Sequence, residues 1–301
     1  MSYESQKVVC STHEEFLEER KASEGASDVA KILGLNPLCS QMKHYAYRKG
    51  QLPTPAAEDN IVAKRRGHAL EPLATTLYSE ATGRTLIHEP FTLYRVSLLG
   101  IHASPDRLIA PVDDDDMTGC LEAKSVGWRM AKHWDDGVPL YTQVQLQIQM
   151  FCTGCCWGEA APLFEDEFRH YPVTRNDKFI AWAIDAVQAF RRCLENDTPP
   201  EPTGDETDAL RLLYPKHEPG KMLQLTDEAA EWTAVIEAAK AKRAEAEEQI
   251  KAYESKLKAK LGDAERGTLP DGTGWTWREQ AGRHVEAHDV APYRVLRRTL
   301  K

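Results

Sequence analysis

The sequence predicts an α/β core followed by a long helical extension. Segments with helical periodicity alternate with segments of strand character up to about residue 196. Three prolines within residues 199–202 then mark a boundary, because proline interrupts both helices and sheets. A helical segment from Thr226 to Leu261 follows, on the order of 50 Å long by its rise per residue. We therefore divide the chain into a core, residues 1–204, and a helical arm with a short strand or hairpin, residues 205–301.

The core begins with helices. Residues 13–50 predict short helices, one of them capped by Ser27, and residues 61–82 predict a long helix that ends at Gly83. Glu71 lies beside the apolar stripe of the long helix, either as a solvated flank residue or as a carboxylate that faces a cleft. The stripe itself consists of Leu70, Leu73, Ala74, Leu77 and Ala81.

Strands and helices then alternate. Residues 86–110 and 120–126 predict strands joined by an aspartate-rich turn, residues 112–119. This turn lacks the alternating ligands and downstream glutamate of an EF-hand, so we interpret it as a solvated hairpin tip. Residues 157–173 predict further strands, and residues 176–196 predict an amphipathic helix.

The glutamine-rich segment 141–153 allows two interpretations. Four glutamines alternate with apolar residues, which suggests a strand. Over a longer window, five apolar residues fall on one helical face: Val144, Ile148, Phe151, Cys152 and Cys155. We predict a helix, on which Gln145 and Gln149 share one flank because they are four residues apart.

Composition and charge limit the class of protein. The 301 residues are 42% hydrophobic and 28% charged, which is typical of a globular protein. No apolar run approaches the roughly 18 residues of a membrane span, and no secretion signal is visible, so we expect a cytoplasmic protein. A net charge of −9 argues against a protein that coats DNA along its length. A nuclease with a basic channel and bound metal remains compatible with it.

Two groups of residues allow both a structural and a functional interpretation. Cys152, Cys155 and Cys156 are spaced for a zinc or iron–sulfur site but lack a convincing fourth ligand, so we expect reduced, buried thiols. Trp275 and Trp277 suit stacking on nucleic-acid bases, yet packing in a core is the more common role of such residues.

Asp106, Glu122 and Lys124 are the strongest candidates for chemistry. An acidic residue followed after about fifteen positions by Glu-x-Lys is typical of a metal-dependent site that cuts phosphodiesters. Alternation along a strand places Glu122 and Lys124 on one face, while Ala123 points away. If the strand after Asp106 pairs with this strand as a hairpin, Asp106 lies beside Glu122 and Lys124, and the three side chains form one cluster. Taken alone, the three residues fit a solvated strand face with ion pairs as well.

Five stretches, in order, resemble the lambda-type exonucleases, also called YqaJ-like viral recombinases, which share the restriction-endonuclease-like fold. They are residues 25–30 (GASDVA), 66–72 (RGHALEP), 102–108 (HASPDRL), 121–124 (LEAK) and 141–147 (YTQVQLQ), the last continuing to Gly154. The resemblance covers about residues 12–200. It implies a central mixed sheet flanked by helices for the core, with the long helix as a C-terminal extension.

The resemblance also implies a role for each site residue. Asp106, Glu122 and the Ala123 carbonyl would hold Mg²⁺, for which Mn²⁺ substitutes. Lys124 and Glu71 would act on the attacking water, and Gln145 would contact that water or the scissile phosphate, a role that Gln143 or Gln147 could take instead. Arg20 and Ser27 match positions that bind a terminal 5′-phosphate. Arg107 stands where many relatives carry glycine; it is a candidate DNA contact, or a partner of the aspartate run. We interpret His68 and His102 as structural neighbours of the site.

The function implied is a Mg²⁺-dependent 5′→3′ exonuclease on double-stranded DNA that leaves 3′ overhangs for phage-type recombination. The resemblance further implies a ring-shaped trimer and a single-strand annealing protein as partner. Two alternatives stay open. One is another nuclease of the same fold, such as an endonuclease or a CRISPR-adaptation-type enzyme. The other is a non-catalytic DNA-end-binding scaffold, against which an intact Asp106, Glu122 and Lys124 speaks.

Overall fold

The computed structural model describes residues 3–52, 61–113, 117–202, 207, 210 and 216–279. The chain divides into two compact units, residues 1–215 and residues 216–301. No helix among the described residues has the length and apolar character needed to cross a bilayer.

The first unit contains two mixed sheets and the helices around them. Its strands are β1 Gln6–Val9, β2 Glu24–Gly25, β3 Leu86–Ile87, β4 Thr92–Val96, β5 Ile101–Ala103, β6 Arg107–Ile109, β7 Gly119–Ser125, β8 Trp157–Leu163 and β9 Tyr171–Thr174. Its helices are α1 His13–Lys21, α2 Ala26–Ile32, α3 Gln41–Arg48, α4 Ile61–Thr82, α5 Trp128–Ala131, α6 Leu140–Thr153 and α7 Asp177–Glu195. The mixed α/β architecture predicted from the sequence is confirmed, with its strands divided between two sheets.

The larger sheet has the order β3-β6-β7-β8-β9, in which only β7 and β8 run parallel. Strand β7 is central, and its side chains alternate between two hydrophobic clusters. Cys120 packs with Leu146 and Met150 of α6, whereas Leu121 packs with Tyr78 of α4. Helices α6 and α4 therefore cover opposite faces of this sheet.

Helix α6 also borders the smaller sheet, β1-β4-β5-β2. Val144 and Ile148 join the cluster that α2, α7 and β5 share, whereas Leu146 and Met150 join the cluster on β7 and β8. A helix with apolar residues on two sides produces the near-alternation that resembles a strand in the sequence. The two sheets meet on this helix, which brings residues from β5, β7 and α2 close together.

The second unit consists of helix α8, Asp227–Leu261, and a hairpin of β10, Arg266–Thr268, and β11, Gly274–Thr276. The predicted long helix is present. The strand or hairpin was predicted within residues 274–300; β11 begins that range but pairs with β10, which precedes it, and the residues after 279 lie outside the described part of the chain. No residue of α8 is buried. Trp275 and Trp277 are each 49% exposed, so the structure does not support the expectation that they pack in a core.

Some local expectations were wrong. Helix α2 begins at Ala26 with Gly25 as its N-cap, so Ser27 lies within the first turn and is not the cap. On α4, Leu73 is 47% exposed and Ala81 is also exposed. The buried face includes Tyr78 instead, because the sheet contacts α4 slightly off the apolar stripe. The tip of the aspartate-rich turn, residues 114–116, lies outside the described residues.

Candidate active site

Asp106 lies next to the strand that carries Glu122 and Lys124. It immediately precedes β6, which pairs antiparallel with β7 so that Arg107 faces Leu121. The backbone amide of Ala123 donates a hydrogen bond of 2.8 Å to Oδ2 of Asp106. The predicted hairpin is therefore present, and it places the Asp106 carboxylate against the middle of β7.

Glu122 and Lys124 project from β7 on the side covered by α6. Lys124 Nζ lies 2.5 Å from Glu122 Oε1 and 3.0 Å from Gln145 Oε1. Gln149 Nε2 donates to the other carboxylate oxygen of Glu122, Oε2, at 2.6 Å. Glu122 is buried, so these two bonds fix both of its oxygens in a defined orientation.

The helix assigns the four glutamines to different places. Gln145 and Gln149, four residues apart, contact Lys124 and Glu122 as described. Gln143 donates to the carbonyl of Val138 at 2.6 Å, close to the start of α6. Gln147 turns away from β7, donating to the Thr174 carbonyl and accepting from the Asn176 amide, both at 2.7 Å. Of the three glutamines proposed from the sequence, only Gln145 contacts the cluster.

Glu71 reaches the cluster from α4 through Arg107. Nη1 of Arg107 lies 2.8 Å from Glu71 Oε1 and also donates to the carbonyl of Asp106. The Arg107 side chain is only 11% exposed. Arg107 therefore pairs with Glu71, and no described contact joins it to the aspartate-rich turn, its other predicted partner. His68, earlier on α4, is exposed.

A cavity of ≈150 Å³ connects Asp106 to the residues expected to bind phosphate. It lies where the two sheets meet, and polar groups form most of its wall. The residues that line it are Arg20, Gly25, Ala26, Ser27, His102, Ser104, Asp106, Gln145 and Gln149. Residues far apart in the sequence, from α1, α2, β5 and α6, thus share one space with the candidate catalytic carboxylate.

The charges of the cluster shift the protonation of its members. Burial raises the pKa of Asp106 well above its ordinary value, and the Glu122 carboxylate raises it further. For Lys124, burial alone would lower the pKa, but the carboxylates of Glu122 and Asp106 outweigh burial and raise it. Lys124 is therefore an ammonium group, and although its charge lowers the pKa of Asp106, burial and Glu122 together outweigh that effect.

This donor set fits a divalent cation. Three carboxylates, Asp106, Glu122 and Glu71, face two cations, Lys124 and Arg107, which leaves one negative charge without a counterion. Carboxylate oxygens are the ligands that Mg²⁺ and Mn²⁺ prefer. A bound cation would oppose the effects of burial and of the Glu122 carboxylate, which raise the pKa of Asp106.

A second acidic group lies beneath the cavity and is better described as an ion-pair network. One ligand atom each from Glu24, Asp28 and His44 lies within 4.8 Å of the others. Arg48 Nε and His44 Nε2 each lie 3.0 Å from an oxygen of Glu24, and Lys31 Nζ lies 2.6 Å from Asp28 Oδ1. A metal ion would have to displace the Arg48 and Lys31 cations, so the group instead joins β2, α2 and α3.

Sequence reasoning missed a role for two residues of the cavity. Gln149 was placed on the correct flank of α6 but was given no contact, although its spacing of four from Gln145 was the available signal. His102 was interpreted as structural. It lines the cavity, and its Nε2 is buried without a hydrogen-bond partner among the described residues.

Comparison with known proteins gives the context for this geometry. Residues 15–156 match the family model described as YqaJ-like viral recombinase domain. The uncharacterized protein YqaJ of Bacillus subtilis (strain 168) is 24% identical over 265 residues, which cover 86% of this chain and 81% of that protein. The matched segment contains every residue of the cavity and of the carboxylate cluster.

A solved structure is also similar. The crystal structure of the alkaline exonuclease LHK-Exo from Laribacter hongkongensis superposes with a TM-score of 0.50 at 28% sequence identity. The match covers 61% of this chain and 93% of that protein. The fold of the first unit is thus of the restriction-endonuclease-like type predicted from the sequence.

Proposed function

We propose that the chain is a metal-dependent exonuclease acting on the ends of duplex DNA, because residues 15–156 match the model of the YqaJ-like viral recombinase domain. In full, it degrades one strand 5′→3′ from 5′-phosphorylated ends with Mg²⁺, or Mn²⁺ in its place. The products carry 3′ overhangs suited to phage-type recombination. The similarity to an alkaline exonuclease supports the reaction class.

One observation gives the main support for this proposal. The Asp106 carboxylate lines the same cavity as Arg20 and Ser27, the residues proposed to hold a terminal phosphate. A strand end held by Arg20 would present its first phosphodiester to Asp106, and a guanidinium fork matches a phosphate dianion. Cutting would then start at an end and not within the duplex.

The residues of the cluster have separate tasks in hydrolysis. Asp106, Glu122 and the Ala123 carbonyl would hold the metal. When bound, it lowers the pKa of a water and offsets the negative charge of the phosphodiester. Lys124, held as an ammonium by Glu122, donates hydrogen bonds and so orients the attacking water or stabilises charge on the phosphate; it has no free electron pair for a proton.

Three residues position those groups. Gln145 accepts a hydrogen bond from Lys124 and lines the cavity, so its amide group is available to the water or the scissile phosphate. Gln149 holds Glu122. Glu71, paired with Arg107, supplies a carboxylate at the edge of the cluster for a metal-bound or attacking water. The trimeric ring and the annealing partner stay predictions.

A time course with linear duplex tests the proposal. One 5′ end carries a phosphate and a label, and the digestion is run with Mg²⁺, with Mn²⁺ and with EDTA. We expect loss of nucleotides from the 5′-phosphorylated strand with either metal and none in EDTA. A covalently closed circle is the matched control and should stay intact.

Other outcomes identify the alternatives. Cutting of the closed circle would indicate an endonuclease, and shortening of the labelled strand from its 3′ end, with the 5′ label retained, would reverse the proposed polarity. Binding without any cleavage, combined with an unchanged result for Lys124→Met, would indicate a DNA-end-binding scaffold. Lys124→Met is suitable because methionine is similar in length and lacks the charge. We expect it to reduce the rate by about a hundredfold to a thousandfold, the range typical for a charge-stabilising donor.

A further inference from the structure

His102 has one ring nitrogen that nothing in the free protein satisfies. It lies in the middle of β5, in register with Gly25 of β2 and Arg95 of β4, and is 2% exposed. Its Nδ1 lies 2.8 Å from Ser23 Oγ. Its Nε2 is buried and has no hydrogen-bond partner among the described residues. Unpaired buried polar atoms are rare because they lose hydration without compensation, so this one requires an explanation.

The unpaired nitrogen lies on the side of Gly25. A Cβ atom added at Gly25 would lie 3.1 Å from Asp28 Oδ2, 3.3 Å from Nε2 of His102 and 3.5 Å from its Cε1. Both residues line the cavity that also contains Arg20 and Ser27. Glycine at this position therefore keeps the edge of the imidazole free of a side chain, which leaves room for a ligand atom.

The surroundings of His102 favour a neutral ring and an anionic ligand. Burial, and then the positive charge of Arg20, lower the pKa of His102 to about 4. A neutral imidazole donates at one nitrogen and accepts at the other. If the Ser23 hydroxyl donates to Nδ1, the proton resides on Nε2 and points to the cavity side. Two charges act on this space. The Arg20 guanidinium in the same cavity attracts an anion, whereas the Asp28 carboxylate, which opposes one, is paired with Lys31.

We propose that His102 donates a hydrogen bond from Nε2 to the terminal 5′-phosphate of a bound strand and so helps the protein select phosphorylated ends. This inference rests on the proposed function, whose phosphate pocket it extends. A terminal phosphate offers three oxygens, each of which accepts more than one hydrogen bond, so it can take a donor from His102 in addition to those of Arg20 and Ser27. A 5′-hydroxyl end lacks them and leaves the buried donor unpaired, which is how a polar site rejects a ligand without the matching group.

The position of the ring proton is measurable in the wild-type protein. With histidine labelled by ¹⁵N, the two ring nitrogens of His102 have distinct chemical shifts that report which one carries hydrogen. We expect hydrogen on Nε2 and a bare Nδ1 at pH 7, with no conversion to imidazolium down to about pH 5. Hydrogen on Nδ1, or a charged ring at pH 7, would overturn the proposal without any mutation.

Two amide substitutions separate the two nitrogens. His102→Gln places an amide NH₂ near the position of Nε2, whereas His102→Asn places it near Nδ1 and leaves the cavity side empty. Affinity is measured in EDTA for a short DNA hairpin whose single duplex end carries either a 5′-phosphate or a 5′-hydroxyl. We expect His102→Gln to keep most of the preference for phosphate. His102→Asn should lose about tenfold to a hundredfold of it, the usual worth of a hydrogen bond to a charged acceptor.

The design keeps this inference separate from the proposed function. Equal preference in His102→Asn and wild type would refute the role of His102, even if the wild type digests linear duplex. Absence of digestion by the wild type would refute the exonuclease, while the binding preference in EDTA would still test His102. His170→Asn serves as the matched control, because His170 pairs with Glu159 in the other sheet and should leave the preference unchanged. Thermal unfolding verifies that each variant is folded.

Discussion

The backbone amide of Ala123 donates a hydrogen bond of 2.8 Å to the carboxylate of Asp106. Ala123 lies between Glu122 and Lys124 on β7, so this bond connects the loop before β6 to the strand that carries the other two charged groups. A backbone donor fixes Asp106 whatever side chains surround it. The geometry of the cluster is thus set by the hairpin, and substitutions in the cluster should change its charge more than its shape.

Asp106→Asn should abolish hydrolysis and stabilise the metal-free protein. Asparagine keeps an oxygen that accepts from the Ala123 amide but removes the charge that burial and Glu122 oppose. We expect at least about a thousandfold loss of rate, together with a higher Tm than wild type in EDTA at pH 8. Addition of Mg²⁺ should raise the Tm of the wild type alone. A lower Tm for the variant in EDTA would contradict the account.

The same carboxyl predicts how stability depends on pH. The folded-state pKa of Asp106 lies above the value of about 3.9 for an unfolded chain, so between the two values the native state binds more protons. The contribution of protonated Asp106 to the free energy of unfolding is fully present below about pH 4 and is lost as the pH rises through the folded-state pKa. Urea unfolding in EDTA from pH 4 to pH 8 should therefore show that the advantage of Asp106→Asn grows with pH. A constant difference would disprove the linkage.

The four glutamines of α6 provide an internal control. Gln145→Ala and Gln149→Ala each remove a contact to Lys124 or Glu122, and we expect each to reduce kcat about tenfold to a hundredfold. Gln149→Ala should also lower the Tm, because it leaves a buried oxygen of Glu122 without its donor. Gln147→Ala leaves the Asn176 amide and the Thr174 carbonyl without their partner, so it should cost about 1–3 kcal/mol of stability and spare kcat per folded molecule.

Gln143 completes this series. Its one described side-chain bond, to the Val138 carbonyl, lies near the start of α6, so Gln143→Ala should change both kcat and stability little. Steady-state kinetics and thermal unfolding on all four variants give the comparison. A larger kcat effect for Gln143 or Gln147 than for Gln145 would show that the glutamine roles are assigned to the wrong residues.

Arg107 and Glu71 should act as one unit. Because the guanidinium holds Glu71 at 2.8 Å, Arg107→Ala and Glu71→Gln remove the same orientation of the carboxylate. We expect each single variant to lower kcat about tenfold or more. The double variant should have nearly the same kcat as the less active single variant, because the effects of coupled residues are not additive. Fully additive effects would instead favour a separate contact of Arg107 with DNA.

Residues 1–215 should hydrolyse DNA without the second unit. Every residue of the cluster and the cavity lies in the first compact unit. A chain shortened after Pro215 should therefore keep its response to Mg²⁺ and to Lys124→Met, within about tenfold of the full-length rate. Gel digestion with both forms gives the measurement. Loss of all cleavage by a folded short form would show that the site requires the second unit.

The sequence predicted the elements of the first unit because their signals are local. Helix α6 was identified by its 3.6-residue period, and the end of α4 by Gly83, which adopts a φ of +69°. Gly154, with a φ of +80°, ends α6 in the structure in the same way. The wrong assignments involved packing. Ser27 has the chemistry of an N-cap, but Gly25 takes that position because β2 pairs with β5 and fixes where the chain turns into α2.

By itself the sequence determined which residue types the site contains: a carboxylate before one strand, and a carboxylate and an amine two apart on the next. Their common face followed from strand alternation, a property of the backbone alone. Only the tertiary structure decided that Gln145 and Gln149 accompany them, that Arg107 pairs with Glu71, and that His102 opens onto the same cavity. These contacts join elements distant in sequence, and their geometry depends on how two sheets pack on α6, which no local pattern encodes.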